Sequence, residues 1–362
     1  MLFRKIKALT ICTLALTLAL SITGCANSNN SASKETPAPS SANSNSPVAE
    51  SSTTPEASPE YPITITHAFG ETVLESKPER IATISWGNQD LPLALGIVPV
   101  GISMANYGVT DDSGLLPWTA EKFKELGVEN PVLFKDTDGL DYEAISDVTP
   151  DVILAAYSGI TQDEYDLLSQ IAPVIAYPTL PWQTYWRDQI TLDAAGMGMK
   201  KEGEQLVSDL ETLIEQKLQD YPQIEGKSAA FFYFNPSDLG KFYVYLPTDP
   251  RAAYLMDLGM TVPESVSKLA ESSDSFALEI SAENIDQLAD IDIIIAYGSD
   301  SLLETLQADK LIQTMPAVQK GSVVLIEDGT PLAASGTPSA LSIPATIDEY
   351  LGLIGEAADK VK

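Results

Sequence analysis

The chain has 362 residues, with 21 basic side chains against 51 acidic ones and a formal charge of −30. Such a surface repels phosphate backbones and anionic headgroups, which argues against nucleic acid as a partner. One histidine and two cysteines leave little for a disulfide framework, a Ser/His/Asp triad or transition-metal capture by the protein's own side chains.

In chain order, Arg4, Lys5 and Lys7 precede an uncharged apolar run from Ala8 to Ile22, followed by Thr23, Gly24 and Cys25. A basic head, a short apolar segment and small residues describe a secretory signal peptide over 1–24, too short in its apolar part for a permanent membrane span. Cys12 falls inside it, so the mature chain keeps Cys25 alone and forms no internal disulfide. Residues 25–60 are mostly Ser, Asn, Thr, Pro, Ala and Glu. They cannot bury enough apolar surface to offset ordering and read as a flexible tether with a reach of roughly 30 Å.

The folded part is expected to open with a hairpin, Ile63 to Thr66 and Thr72 to Leu74 around Gly70. Strands follow at 81–85, 98–103, 152–157 and 174–177, with helices over 90–95, 119–126, 141–148 and 162–171. Short apolar runs alternating with amphipathic helices predict a mainly parallel sheet covered on both faces. From Lys201 to Asp220, Leu206, Val207, Leu210, Leu213, Ile214 and Leu218 share one face at a 3.6-residue period, and Pro222 follows. This long helix organises the chain, because the pattern then returns: strands at 229–234, 242–246, 293–297 and 323–326, helices at 252–258, 282–288, 301–306 and 339–353. The fold class is therefore α/β, two Rossmann-like lobes (61–182 and 223–362) bridged by a crossover and long helix (183–222), with a groove between them.

An internal echo supports duplication. Asp141, Glu143, Ile145, Val148, Ile153, Leu154, Ala155 and Tyr157 recur as Ser281, Glu283, Ile285, Leu288, Ile294, Ile295, Ala296 and Tyr297, given one inserted residue. Asp141 and Ser281 are good helix N-caps, and each glutamate falls in the following first turn. A looser echo pairs Leu95, Gly96, Ile97 and Pro99 with Leu258, Gly259, Met260 and Pro263.

Aromatic residues stand where an open α/β sheet binds ligands, at strand carboxyl ends. Trp86 ends the first strand, and Tyr157 and Tyr297 end corresponding strands of the two lobes. Trp182, Tyr185, Trp186 and Arg187 cluster before the long helix, while Tyr233, Tyr243, Tyr245 and Arg251 belong to the second lobe. Core packing and surface ion pairing are the competing roles for these residues. A cleft lined by aromatic faces and an arginine or two suits a bulky, partly anionic ligand.

The stretch KPERIATISWGNQDLPLALGIVPVG from Lys77 to Gly101 resembles the first-lobe signature of bacterial ferric-siderophore-binding proteins of ABC importers. DYEAISDVTPDVILAAYSG and PWQTYWRDQ are similar to the same group, and Ile22 to Cys25 resembles the bacterial lipobox. The resemblance covers about Ile63 to Lys362. It implies a binding protein rather than an enzyme, anchored through lipidated Cys25 at the extracytoplasmic face of the cell membrane, a monomer with limited hinge motion. It implies a ferric siderophore as ligand, no cofactor and no metal ligands of the protein's own, since the chelator's oxygens hold the iron. By the same resemblance Glu143 and Glu283 dock onto arginines of the two permease subunits, Trp86 lines the cleft, and Tyr107 and Tyr157 lie near its edge. Trp182, Tyr185, Arg187, Tyr233 and Arg251 complete the candidate ligand contacts. One departure stands out: some hydroxamate-binding relatives carry arginine just after the tyrosine matching Tyr107, and this chain has Gly108. The siderophore class stays open between hydroxamate, catecholate and citrate. The rivals are a haem- or corrinoid-binding protein of the same fold and a secreted glycoside hydrolase using paired carboxylates.

Overall fold

The computed structural model describes residues 60–361 except 137 and 272. The expected signal peptide, Cys25 and nearly all of the tether lie outside the described residues.

The first lobe opens with the antiparallel hairpin β1 (Ile63–His67) and β2 (Gly70–Leu74). Its sheet comprises β3 (Ile81–Thr83), β4 (Gly101–Ser103), β5 (Leu133–Phe134), β6 (Val152–Ala155) and β7 (Val174–Ala176) in the order β5-β4-β3-β6-β7. All its pairings are parallel, which requires a crossover between successive strands. Helices α1 (Asp90–Ala94), α2 (Pro117–Glu125), α3 (Tyr142–Asp147) and α4 (Gln162–Leu168) supply the crossovers. Burial on both faces explains why Val152, Ile153, Leu154 and Ala155 form an unbroken apolar run.

Two helices, α5 (Trp186–Gly196) and α6 (Lys200–Leu218), connect the lobes. The long helix is α6, with Leu210 and Ile214 buried and the rest of its expected stripe partly buried against the same core. Helix α5 was not anticipated, because buried polar Gln189 and Asp193 interrupt its apolar face. A turn at Met197 to Met199, with Gly198 at φ +65°, lays α6 back along α5.

The second lobe contains β8 (Ala229–Asn235), β9 (Asp238–Tyr245), α7 (Pro250–Asp257), α8 (Glu264–Ala270) and β10 (Ala277–Ser281). A 3-10 helix (Ala282–Leu288) leads into β11 (Ile293–Tyr297), α9 (Asp300–Ala308), α10 (Pro316–Lys320), β12 (Val323–Ile326), α11 (Pro331–Ser335) and α12 (Ser342–Ala358). Its strand order is β10-β9-β8-β11-β12, parallel for β8-β11-β12 and antiparallel where β9 and β10 extend the sheet. The link between β8 and β9 is too short for a crossover helix, so that pair must run antiparallel.

The echo has a structural counterpart. β6 and β11 hold the fourth position of their sheets, each preceded by a short helix capped by Asp141 or Ser281. Asp141 Oδ1 accepts from the Ala144 amide at 3.0 Å and Ser281 Oγ from the Glu283 amide at 3.4 Å. Each lobe has its own small core, and a larger apolar cluster joins Leu154 and Ile175 of the first sheet to Phe231 and Ile295 of the second through α5, α6 and α12. This shared helical layer fixes the lobes so that residues beyond their strand ends meet across a cleft.

Candidate functional site

The cleft is a cavity of about 570 Å³, lined by both lobes. Ser85 and Trp86 follow β3, Ser103 and Met104 end β4, Asp136 follows β5, Tyr157 follows β6 and Tyr297 ends β11. These are carboxyl ends of parallel strands, the crevice position expected for an open α/β sheet. Trp86, Tyr107, Tyr157, Trp182 and Arg251 of the expected contacts all line it.

The aromatic wall runs from one lobe to the other. Tyr107 lies 6.4 Å from Trp86 on its own lobe and 6.4 Å, edge-on, from Tyr297 on the other. Its hydroxyl donates to Asp328 Oδ1 at 2.5 Å and accepts from the Gly329 amide at 3.2 Å, so one flank of the cleft is a fastened seam. On the opposite flank Trp182 meets Tyr157 edge-on at 5.3 Å. Gly159 lies under the Trp182 indole: a Cβ there would stand 2.1 Å from Nε1. Ser85 and Trp182 adopt φ of 65° and 61°, backbone that non-glycine residues seldom occupy and that concentrates at binding sites.

Arg251 is the one cation lining the cleft among the described residues. Its Nε and Nη2 donate to Asp249 Oδ1 and Oδ2 at 2.8 and 2.7 Å, and its guanidinium lies 4.2 Å over the Tyr245 ring. Asp249 is fully buried, so the pair fixes the arginine and balances its charge locally. Burial pushes the Tyr297 hydroxyl up to about 12, partly offset by Arg251, and pushes Tyr107 and Tyr157 up as well. All three phenols are therefore neutral hydrogen-bonding groups at ordinary pH.

Beside the cleft the lobes are tied by a buried carboxyl. Asp90 in α1 accepts from Ser339 of the second lobe, from Trp118 Nε1 at 3.1 Å and from Thr119 Oγ1 at 3.1 Å. Burial raises it to about 6 despite these donors.

Three expected contacts lie elsewhere. Arg187 points away from the cleft: its Nε bonds Glu211 at 2.6 Å and its Nη1 bonds Asp257 at 2.8 Å, clamping α5, α6 and α7 together over Trp186. The ion-pair alternative is therefore the one realised. Tyr185, two residues ahead of Arg187, donates to the Pro247 carbonyl at 3.0 Å. Tyr233 is on the outward face of β8, 41% exposed against Tyr243. Alternation along a strand sends it opposite to buried Phe232 and Phe234. His67 is a buried hairpin residue bonded to Thr72 Oγ1 at 2.9 Å. Glu143 and Glu283 are both exposed, in the first turns of their short helices.

The cleft also contains residues absent from the expected set, chiefly Ser103, Asp136, Phe276, Tyr297 and Thr337. Tyr297 was signalled by its echo with Tyr157. Asp136 follows a two-residue strand and Phe276 precedes the edge strand β10, neither of which has a readable period. Packing accounts for Gly108: with φ +75°, an added Cβ would stand 2.5 Å from Ala334 Cβ and 3.0 Å from the Thr330 carbonyl. The seam between lobes leaves no room for a side chain.

Among known proteins, the chain is similar to PiaA of Streptococcus pneumoniae TIGR4, whose crystal structure in complex with ferrichrome is 54% identical, with a TM-score of 0.80, covering 83% of this chain and 100% of that one. It is 26% identical over 314 residues to the probable siderophore-binding lipoprotein YfiY of Bacillus subtilis, covering 83% of this chain and 91% of that protein. It is also 26% identical over 286 residues to the Fe(3+) dicitrate-binding periplasmic protein FecB of Escherichia coli, covering 74% and 86%. The periplasmic binding protein family matches residues 81–329, a span that includes both five-stranded sheets and most of the cleft residues, and the chain belongs to that family.

Proposed function

We propose that this chain is an extracytoplasmic substrate-binding protein that captures a ferric siderophore between its lobes and delivers it to an ABC permease for iron uptake. The observation that carries the reading is the cleft itself: about 570 Å³ walled by Trp86, Tyr107, Tyr157, Trp182 and Tyr297, with one fixed arginine. Aromatic faces and phenol or guanidinium donors suit an iron ion already enclosed by chelator oxygens. Ferrichrome, the ligand of the PiaA structure, supports a hydroxamate as the class bound here. In this reading Trp86 and Trp182 hold the chelate's flanks, and Arg251 donates to its outward oxygens.

The remaining roles belong to the same proposal. Cys25 carries the lipid anchor, residues 25–60 tether the monomeric body, and Glu143 and Glu283 meet basic residues on the two permease subunits. Their matching positions before β6 and β11, with both carboxylates exposed, support the pairing. No helix among the described residues is long and apolar enough to cross a membrane. A hydrolase would need two carboxylates facing one another across the substrate. The cleft's acids, Asp136 and Glu164, both belong to the first lobe, and Glu164 Oε2 is bound by the Thr161 amide and hydroxyl at 2.7 and 2.9 Å.

Tryptophan quenching tests the proposal. The mature chain is titrated with ferrichrome, a ferric catecholate, ferric citrate, haem and a corrinoid, with glycan turnover followed in parallel. Saturable submicromolar quenching by a ferric chelate is expected. Quenching by haem or a corrinoid alone, or glycan hydrolysis without chelate binding, would overturn the reading.

A further inference from the structure

The cleft wall holds a carboxyl group that no basic side chain among the described residues pairs with. Asp136 lines the cavity just beyond β5, where Ser103 Oγ donates to its Oδ2 and is itself held by the Ser85 amide at 2.9 Å. Among the described residues its Oδ1 is buried without a hydrogen-bond partner. Burial, and less so the negative charge of Asp141, push its carboxyl above the usual carboxylate range, while hydrogen bonds from Ser103 and the Asp141 backbone oppose that shift. Arg251 does not offset it, because both carboxylate oxygens of Asp249 already engage that guanidinium. Glu164 adds a second negative charge to the same wall.

We propose that Asp136 makes the cleft selective for the sign of its ligand, favouring ferric chelates that are neutral or carry a pendant ammonium over polyanionic ones. The inference rests on the chelate-binding reading above and specifies which chelates that site accepts. A ferric hydroxamate has its metal charge cancelled by three hydroxamates, so any charge it carries comes from its periphery. An ammonium brought to the Asp136 wall is drawn by the field of a carboxylate oriented by Ser103, its Oδ1 buried, and that field is less screened beside a buried group than at an open surface. A trianionic ferric catecholate meets repulsion from the same group.

Four probes test this on the mature full chain: ferrichrome (neutral), ferrioxamine B (one free ammonium), N-acetylated ferrioxamine B (neutral, otherwise the same) and ferric enterobactin (trianionic). In the wild type, acetylation of ferrioxamine B should weaken binding about tenfold, and ferric enterobactin should bind at least a hundredfold more weakly than ferrichrome. In Asp136→Asn, which keeps an acceptor for Ser103, the affinity ratio of ferrioxamine B to its acetylated form should fall to within about twofold of unity. The acetylation comparison needs no variant, so a poorly folding mutant does not prevent the test. Equal binding of the two ferrioxamines by the wild type, a ratio unaltered by Asp136→Asn, or preference for ferric enterobactin would overturn the proposal while leaving chelate binding in place. Failure of all four probes to bind would instead remove the chelate reading beneath it.

Discussion

Gly159→Ala tests the cleft wall with one methyl group. An added Cβ would stand 2.1 Å from Trp182 Nε1, 2.4 Å from Cε2 and 2.8 Å from Cζ2, so the indole must leave its place. It has somewhere to go, since Trp182 is already 38% exposed and can turn into solvent. Gly159 itself is not in left-handed backbone, so alanine adds no strain of its own. The stability cost is then mostly the lost edge contact with Tyr157, about 1 kcal/mol. The functional cost should be larger, because in the proposed binding mode the chelate loses one of its two tryptophan flanks: about tenfold in affinity, or about 1.4 kcal/mol. Ferrichrome titration by tryptophan quenching, paired with thermal denaturation, measures both. Trp182→Ala should lose a similar amount, and the double variant should lose no more than Trp182→Ala alone. Full affinity in Gly159→Ala, or additive losses in the double variant, would refute the claim that Gly159 acts by seating Trp182.

Replacing Trp86 by alanine should weaken ferric-chelate binding at least tenfold in the same assay, and undiminished affinity would assign the indole to packing alone. Glu143→Ala with Glu283→Ala should leave chelate affinity intact and abolish uptake in cells; normal transport would assign both glutamates to their helix ends. Gly108→Arg should restore no ligand contact, instead lowering stability by about 2 kcal/mol or more through left-handed backbone strain and the clash with Ala334; an unchanged melting temperature would contradict the seam. Asp90 sets a pH dependence, since burial raises it from 3.8 to about 6. The folded chain then keeps this proton over a range where the unfolded chain has lost it, so the Asp90 contribution to stability falls as pH rises through that window. The loss is about 3 kcal/mol in all. Comparing unfolding of the wild type and Asp90→Asn at pH 4 and pH 7 isolates it; parallel pH profiles would show that Asp90 titrates as it does when unfolded.

What the sequence revealed, and what it hid, follows from how local each signal is. The stripe from Leu206 to Leu218 and the fully apolar strands β6 and β11 are read directly, because one face or two faces of burial leave a period or a run. The echo of Asp141-x-Glu143 in Ser281-x-Glu283 placed two short helices at matching positions before a strand, and Tyr157 and Tyr297 at matching ends. Trp86, Tyr107, Tyr157 and Trp182 reached the cleft because the carboxyl ends of parallel strands and the loops beyond them do, and Arg251 reaches it from the first turn of α7. Arg187 did not: whether an arginine faces a ligand or an ion pair depends on Glu211 and Asp257, residues distant in sequence that only the folded crossover brings together. Asp136 was illegible among 51 acidic residues, since only the fold places it on the cleft wall beside Ser103. The parallel character of the second sheet was partly masked too, because β9 and β10 join it through a short turn and a partly exposed edge strand.

The central claim is that the cleft receives iron still wrapped in its chelator. Visible absorption of the protein–ferrichrome complex tests it most directly, because the hydroxamate-to-iron band reports what surrounds the metal. The account predicts the band of free ferrichrome, nearly unshifted, with iron and chelator recovered together in equal amounts on unfolding the protein. A new tyrosinate-to-iron band drawn from Tyr107, Tyr157 or Tyr297, with iron-free chelator released on binding, would contradict it.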